Sequence, residues 1–385
     1  MSESYWTQRG GLVRTASKLS RGRRFTIGYI GGSLTYGADA SDPEMYSWRA
    51  KTTAWFRERF PAIRFEAVNA AIGGTGSDFG VYRIGEDLLK ASPDLVFVEF
   101  SVNDSSRALS EPDQVSASME GIIRRIYTAN PHAEVVFVYT TMKRLERFHA
   151  SGELPPAVQL SESLGDYYGI PSVNIGKAFW RYLQANSISW ETLLPDHVHP
   201  KDEGYAVYSQ AITTWLDRLD WSRSSAAAYV MPTALNDHLP MRAQMIPAST
   251  YANDYWTVVE QAIEQWPNHL FCETAGHTLT ITFTGNAVGV AWISACDAGV
   301  LEYSIDGAAF QRRTSWTPHG GTRGMLYGNL FHDPLRGTGL ENGHHTLTIR
   351  VSAQPDDNSV ANRLRIVAFI INGTSNLYQK HCEAS

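Results

Sequence analysis

The feature that most constrains this chain is a change of hydrophobic rhythm partway along it. Up to about residue 220, short apolar runs rich in β-branched and aromatic residues alternate with stretches of helical spacing. Residues 24–30 (RFTIGYI) form such a run and end at Gly31-Gly32, as a buried strand entering a tight turn does. Residues 47–60 follow with Trp48, Ala54, Trp55 and Phe56 near one helical face. Residues 63–72 are strand-like again, 77–91 read as a helix closed by Ser92-Pro93, and 94–102 (DLVFVEFSV) are almost continuously apolar. That last pattern suits a central parallel strand covered on both faces. Helices are predicted near 114–129 and 155–168, strands over 133–140 and 170–175, and a final helix over 202–219 after a loop around 190–200. The alternation predicts an α/β domain, with a parallel sheet and helices on both faces.

Beyond about residue 225 the rhythm differs. Segments 277–285, 288–295, 299–307, 343–351 and 363–373 read as strands bounded by Gly, Asn and Asp, with no helices between them. In the first, Leu279, Ile281 and Phe283 alternate with Thr278, Thr280 and Thr282, as in a half-buried strand. An antiparallel sandwich is expected. The boundaries read as an α/β domain over 1–222, an aperiodic linker over 223–255 and a β domain over 256–385. A length of 385 residues also suits two cores better than one.

Composition narrows the function classes. With 43% hydrophobic and 19% charged residues, the chain can bury substantial cores. A net charge of −6 offers no basic face for nucleic acid. The locally basic stretch from Arg14 to Arg24 reads as a solvated entry segment, with a binding patch as its alternative. Cys272, Cys296 and Cys382 lie far apart, so neither a disulfide framework nor a zinc site is expected, and two buried thiols fit better than a 272–296 pair. There is no apolar run long enough to span a bilayer and no secretory h-region, so a cytoplasmic protein is expected.

Four segments of the first half carry polar chemistry at predicted strand ends. Gly31-Gly32-Ser33-Leu34 follows the first strand, on the edge where open α/β sheets bind ligands. Asn69 to Ser77 (NAAIGGTGS) follows the second. Its glycines could present a backbone N–H to a developing oxyanion or simply make a turn; a phosphate loop lacks the required Lys and spacing. Ser101-Val102-Asn103-Asp104 ends the most apolar strand, where Asn103 could aim an amide into the same crevice and Asp104 could hold the loop by accepting backbone N–H bonds. Leu194 to Pro200 (LPDHVHP) sets Asp196 and His199 three residues apart, close enough to pair as a base and its acidic partner. Metal ligation by Asp196, His197 and His199 is the competing reading there.

In their order, these segments resemble the four sequence blocks of the SGNH (GDSL-like) hydrolases over about residues 24–220. The resemblance implies a three-layer flavodoxin-like α/β/α fold with a shallow, open site. It implies Ser33 as nucleophile, His199 as general base oriented by Asp196, and His197 as a bystander. The oxyanion donors it implies are the N–H groups of Ser33 and Gly74 and the side chain of Asn103. No cofactor or metal is implied. Two departures stand out: Gly32 replaces the family's Asp before the serine, and Ala71 occupies a position that is glycine in many members.

The β-rich half resembles the jelly-roll, carbohydrate-binding-like modules that accompany some SGNH acetylesterases. The expected substrate is therefore a small-molecule or oligosaccharide ester, with acetyl as the acyl group. Trp48, Trp190 and Trp316 could stack on sugar rings or pack in cores. A lipase or thioesterase of the same superfamily, and a sugar-binding protein on an esterase scaffold, remain alternatives. The β half could equally be architectural or form the interface of a homo-oligomer.

Overall fold

In the first half, strands and helices alternate as the hydrophobic rhythm predicts. The computed structural model describes residues 5–264 and 266–375, which divide into two units, Met1–Asp237 and His238–Ser385. The first unit holds a six-stranded sheet of β1 (Trp6–Thr7), β2 (Arg24–Gly31), β3 (Arg64–Ala71), β4 (Leu95–Glu99), β5 (Glu134–Val138) and β6 (Ser172–Val173). The order across it is β1-β6-β5-β4-β2-β3, and only β1 pairs antiparallel. Counted along the chain, the five parallel strands run 2-1-3-4-5, the flavodoxin-like order. The α-helices among the described residues are α1 (Val13–Arg21), α2 (Ser33–Tyr36), α3 (Pro43–Tyr46), α4 (Trp48–Arg59), α5 (Ser77–Asp87), α6 (Arg107–Ser110), α7 (Pro112–Ala129), α8 (Glu146–Ser151), α9 (Pro156–Tyr168), α10 (Ile175–Asn186), α11 (Trp190–Leu193) and α12 (Asp202–Asp217).

Side chains alternate along a strand, so this sheet feeds two cores. Phe25, Ile27, Tyr29, Leu95, Phe97, Val136 and Val138 join Trp48 and Phe56 of α4, Phe179 of α10 and Tyr208, Ile212 and Trp215 of α12. Val96, Val98, Val135 and Phe137 are equally buried and face the other layer by the same alternation, where α5 packs on α7 and α7 on α9.

Two predicted strands prove shorter than their apolar runs. The run 94–102 stops pairing at Glu99 because the chain turns, with Asp104 N–H donating to Phe100 O at 2.8 Å. Phe100 and Val102 are buried in that turn, so their hydrophobicity reports burial and not ladder pairing. The run 170–175 pairs only at Ser172 and Val173, because Asn174 caps α10 by accepting Lys177 N–H at 2.8 Å. The basic segment supplies α1, whose first N–H groups (Arg14 and Thr15) donate to the Glu134 carboxylate at 2.9 and 2.8 Å.

Within 223–255, read from sequence as a linker, the residues divide their contacts. Tyr229 N–H donates to Pro131 O at 2.7 Å, and Leu235 and Asn236 N–H groups donate to buried Glu120 at 2.7 and 2.9 Å, all inside the first unit. Ala243–Pro247 is already a strand of the second.

The second unit contains β7 (Ala243–Pro247), β8 (Thr257–Val259), β9 (His269–Cys272), β10 (Thr278–Ser294), β11 (Val300–Ile305), β12 (Gln311–Thr314), β13 (Met325–His332), β14 (Gly343–Val351) and β15 (Leu364–Ser375). All nine pair antiparallel, in a sandwich-like arrangement around a core that includes Trp256, Phe283, Trp292, Tyr303, Ile349 and Phe369. Segments 277–285 and 288–295, predicted as two strands, are one continuous strand, β10. Its first half pairs with β14 and its second with β13, while β15 follows its other edge. The Gly285-Asn286 signal marks a bulge inside this strand, not a turn. Gly285 faces Gly373 there, and a Cβ on Gly373 would lie 1.9 Å from Thr284 O. Cys272 is a buried free thiol and Cys296 a half-buried one; Cys382 lies outside the described residues.

Candidate active site

Three strand ends and one loop converge on Ser33. The serine opens α2 directly after β2, where a first-turn N–H has no intrahelical acceptor. His199 Nε2 lies 2.8 Å from Ser33 Oγ, and His199 Nδ1 lies 2.6 Å from Asp196 Oδ2. The other Asp196 oxygen accepts the N–H groups of Val198 and His199 at 2.9 and 2.7 Å, which closes the D-x-x-H turn. Burial alone would raise the Asp196 carboxyl, but these bonds and the imidazole hold it below the usual carboxylate range. With Asp196 as acceptor, Nδ1 carries the proton and Nε2 is left to accept from the Ser33 hydroxyl. The side chains of His199 and Asp196 keep 25% and 46% of their area exposed, so the site is open.

Sequence features around Ser33 acquire physical reasons. A Cβ on Gly32 would lie 2.1 Å from Asn103 Oδ1, so glycine there leaves the room that the Asn103 side chain occupies. Gly73 packs beside Ser33, its Cβ position 3.8 Å from the serine Cβ, and Gly74 takes a left-handed φ of 75° that favours glycine. Asp104 acts as expected of a loop tie: its Oδ1 accepts Ser77 N–H at 3.0 Å, linking the Asn103 turn to the start of α5. Burial pushes the Asp104 carboxyl up to about 7, with Asp78 adding to the rise and Ser77 and Arg107 opposing it.

A small core separate from the main one knits these loops. Leu34, Val102 and Val198, sequence neighbours of Ser33, Asn103 and His199, pack with Met142, Leu145 and Phe148. The same segment is pinned on both sides. Lys143 N–H donates to His197 O at 2.9 Å, and Arg144 donates to the Ser105 and Ser106 hydroxyls at 3.1 and 3.0 Å.

Other sequence-flagged groups lie elsewhere. His197 turns away to Glu191, 3.1 Å from its carboxylate, and so does not join Asp196 and His199. In its place Asp39 stands near the pair, with one donor atom each of Asp39, Asp196 and His199 within 4.8 Å of the others. Both imidazole nitrogens are engaged by Asp196 and Ser33 there, while Asp39 stands beside the pair. Trp48 and Trp190 are 0% and 3% exposed, which removes them as stacking platforms for a sugar; Trp316 is half-buried. Asp39 carried no signal in its Ala-Asp-Ala setting. Two buried groups at the site also escaped notice. Arg83 donates to Gly31 O at 3.0 Å and to Asp87 at 2.7 Å. Glu99 ends β4, and its signal was a lone charge inside an apolar run.

A doubly wound sheet with a hydroxyl, an imidazole and a carboxylate in line at its carboxyl edge is an arrangement suited to acyl transfer. Residues 29–207 match the GDSL-like Lipase/Acylhydrolase family. The α/β unit is thus similar to the GDSL-like lipases/acylhydrolases over most of its length, and the protein is a carboxylic ester hydrolase. Its two-unit architecture also has solved counterparts. A two-domain esterase (CEX) active on acetylated mannans is 25% identical, with a TM-score of 0.75 and 96% of each chain covered. Its complex crystallised with mannopentaose gives 24% identity, a TM-score of 0.73 and the same coverage. Axe2, an acetylxylan esterase from Geobacillus stearothermophilus, is 17% identical over 51% of this chain and 95% of its own, with a TM-score of 0.42. No curated protein matches the chain in sequence.

Proposed function

We propose that the protein is a carbohydrate acetylesterase that works through a Ser33–His199–Asp196 triad and an acyl-enzyme. The observation that carries this reading is the unbroken chain from Asp196 Oδ2 through both His199 nitrogens to Ser33 Oγ, at 2.6 and 2.8 Å. His199 Nε2 takes the hydroxyl proton as Ser33 Oγ attacks the ester carbonyl, and Asp196 stabilises the imidazolium that forms. The N–H groups of Ser33 and Gly74 and the amide of Asn103 hold the oxyanion. Collapse of the tetrahedral species breaks the bond to the leaving alkoxide, which takes the proton from His199. Water, deprotonated by His199, then attacks the acyl-serine; carboxylic acid leaves and the Ser33 hydroxyl is restored. The protein's own groups complete this cycle, and no step calls on a metal or cofactor.

Support for the substrate comes from the full-length structural likeness to an esterase active on acetylated mannans. A sugar-bound acetyl group suits an open site, since the bulky part of the substrate is its leaving group. The expected substrate is thus an O-acetylated oligosaccharide or polysaccharide.

The test is turnover of p-nitrophenyl acetate and acetate release from acetylated mannan. Ser33→Ala and His199→Ala should each lower kcat by at least about 10³-fold. His197→Ala should stay within about threefold of wild type, because its ring addresses Glu191. Unchanged turnover in Ser33→Ala would overturn the assignment.

A further inference from the structure

Glu99 is a buried carboxyl that the proposed reaction leaves unused. It is the last residue of β4 and pairs in register with Gly31, so it lies beneath the turn that carries Ser33. Its side chain is sealed from solvent at 1% exposure. Oε2 accepts the Thr35 hydroxyl at 3.0 Å; Oε1 accepts the hydroxyls of Ser101 at 3.1 Å and Thr140 at 2.7 Å. Thr35 belongs to α2, two residues past Ser33, and Ser101 lies two residues before Asn103. Thr140 follows β5 and donates its own N–H to Ser101 Oγ at 3.0 Å. One carboxyl therefore grips the nucleophile's helix, the Asn103 turn and the next strand end together.

Glu99 satisfies the buried hydroxyls around it, but a buried carboxyl is a costly way to end this strand. β4 otherwise reads Leu95, Val96, Phe97 and Val98, all buried, and an apolar residue at position 99 would avoid desolvating a carboxyl. The partners of Glu99 are hydroxyls and a backbone N–H, not a cation, and burial outweighs them in pushing its carboxyl up. A Cβ on Gly31 would meet Thr35 Oγ1 at 2.3 Å and Glu99 O at 2.5 Å, so the helix and strand are pressed together at this point.

We infer that Glu99 is a positioning residue for ester hydrolysis, one that sets Ser33 and the Asn103 amide at a fixed separation through the hydroxyls of Thr35 and Ser101. The inference rests on the reading of Ser33 as nucleophile. A misplacement of about 1 Å between reacting groups can cost on the order of 10²-fold in rate. Loss of the grip is therefore read in kcat and not in KM.

The experiment measures kcat and KM on p-nitrophenyl acetate together with Tm for Glu99→Gln, Thr35→Val and Thr35→Ser, beside Ser33→Ala. Glu99→Gln should lose roughly 10- to 100-fold in kcat with KM within about threefold. Thr35→Val, which keeps the shape but not the hydroxyl, should lose about 5-fold or more, and Thr35→Ser should restore wild-type turnover. The double variant Glu99→Gln/Thr35→Val should fall short of the product of the two single losses, as expected of residues acting as a unit. If Glu99→Gln does not fold, the Thr35 pair carries the test alone. Wild-type kcat in Thr35→Val, or equal losses in Thr35→Val and Thr35→Ser, would overturn the inference while Ser33→Ala is inactive. Turnover surviving in Ser33→Ala would instead overturn the reading beneath it.

Discussion

Ser33, Asp196 and His199 carry the proposed chemistry, but the residue that this chain changes most tellingly is Gly32. A side chain there would collide with Asn103, so Gly32→Ala should act on the proposed oxyanion amide from outside the reacting groups. Its kcat should fall about 10²- to 10³-fold, as for the loss of one oxyanion donor. Steady-state kinetics of Gly32→Ala, Asn103→Ala and their combination would show this, with the double variant little worse than either single one. A fully multiplicative double loss would separate the two positions. Asp104 offers a second residue-scale test. Its carboxyl is held up at about 7 by burial, against 3.8 ordinarily. Between those values the folded chain holds a proton that the unfolded chain has released. The group's stabilisation is therefore complete below about pH 4 and is lost as the pH rises through 7. The Tm of wild type relative to Asp104→Asn should accordingly fall between pH 5 and pH 8. A difference that stays flat or grows would place the Asp104 titration elsewhere.

At the scale of elements, most of what positions the site was legible in the sequence. The runs behind β2, β3, β4 and β5 and the spacing behind α4, α7, α9 and α12 all appear within a few residues of their predicted places, because each buries one or both faces and hydrophobic periodicity reports burial. What escaped was of two kinds. Short or polar strands such as β8 and β12, with mostly exposed residues, carry no periodic signal. Continuity across a break also escaped, since Gly285-Asn286 looks like a hairpin turn and is a bulge in β10. That bulge supports a prediction of its own. Gly373→Ala would drive a methyl group into the Thr284 carbonyl of the neighbouring strand. It should destabilise the chain by more than about 1 kcal/mol, seen as a lowered Tm or denaturation midpoint. Unaltered unfolding would mean that the strands part there at little cost.

At the scale of the molecule, an α/β unit that bears the Ser33 site is joined in sequence to an antiparallel β unit, a pairing shared over 96% of the chain with a two-domain esterase active on acetylated mannans. The two folds were visible as two rhythms, whereas the groups that set the site's shape were not. Glu99, Arg83 and Asp39 come near Ser33 or its supporting turns only through folding, and no local pattern announces such meetings. The acyl preference also belongs to this scale. Hydrolysis of p-nitrophenyl acetate should exceed that of the octanoate in kcat/KM, and the reverse order would favour a lipase-like role over a deacetylase. Covalent capture gives the sharpest test of whether Ser33 is a nucleophile activated by His199. Intact-mass analysis after treatment with a fluorophosphonate should show a single adduct, mapped to the peptide containing Ser33, absent in Ser33→Ala and greatly slowed in His199→Ala. Full ester turnover by a protein that takes no adduct at Ser33 would mean that another group attacks the ester.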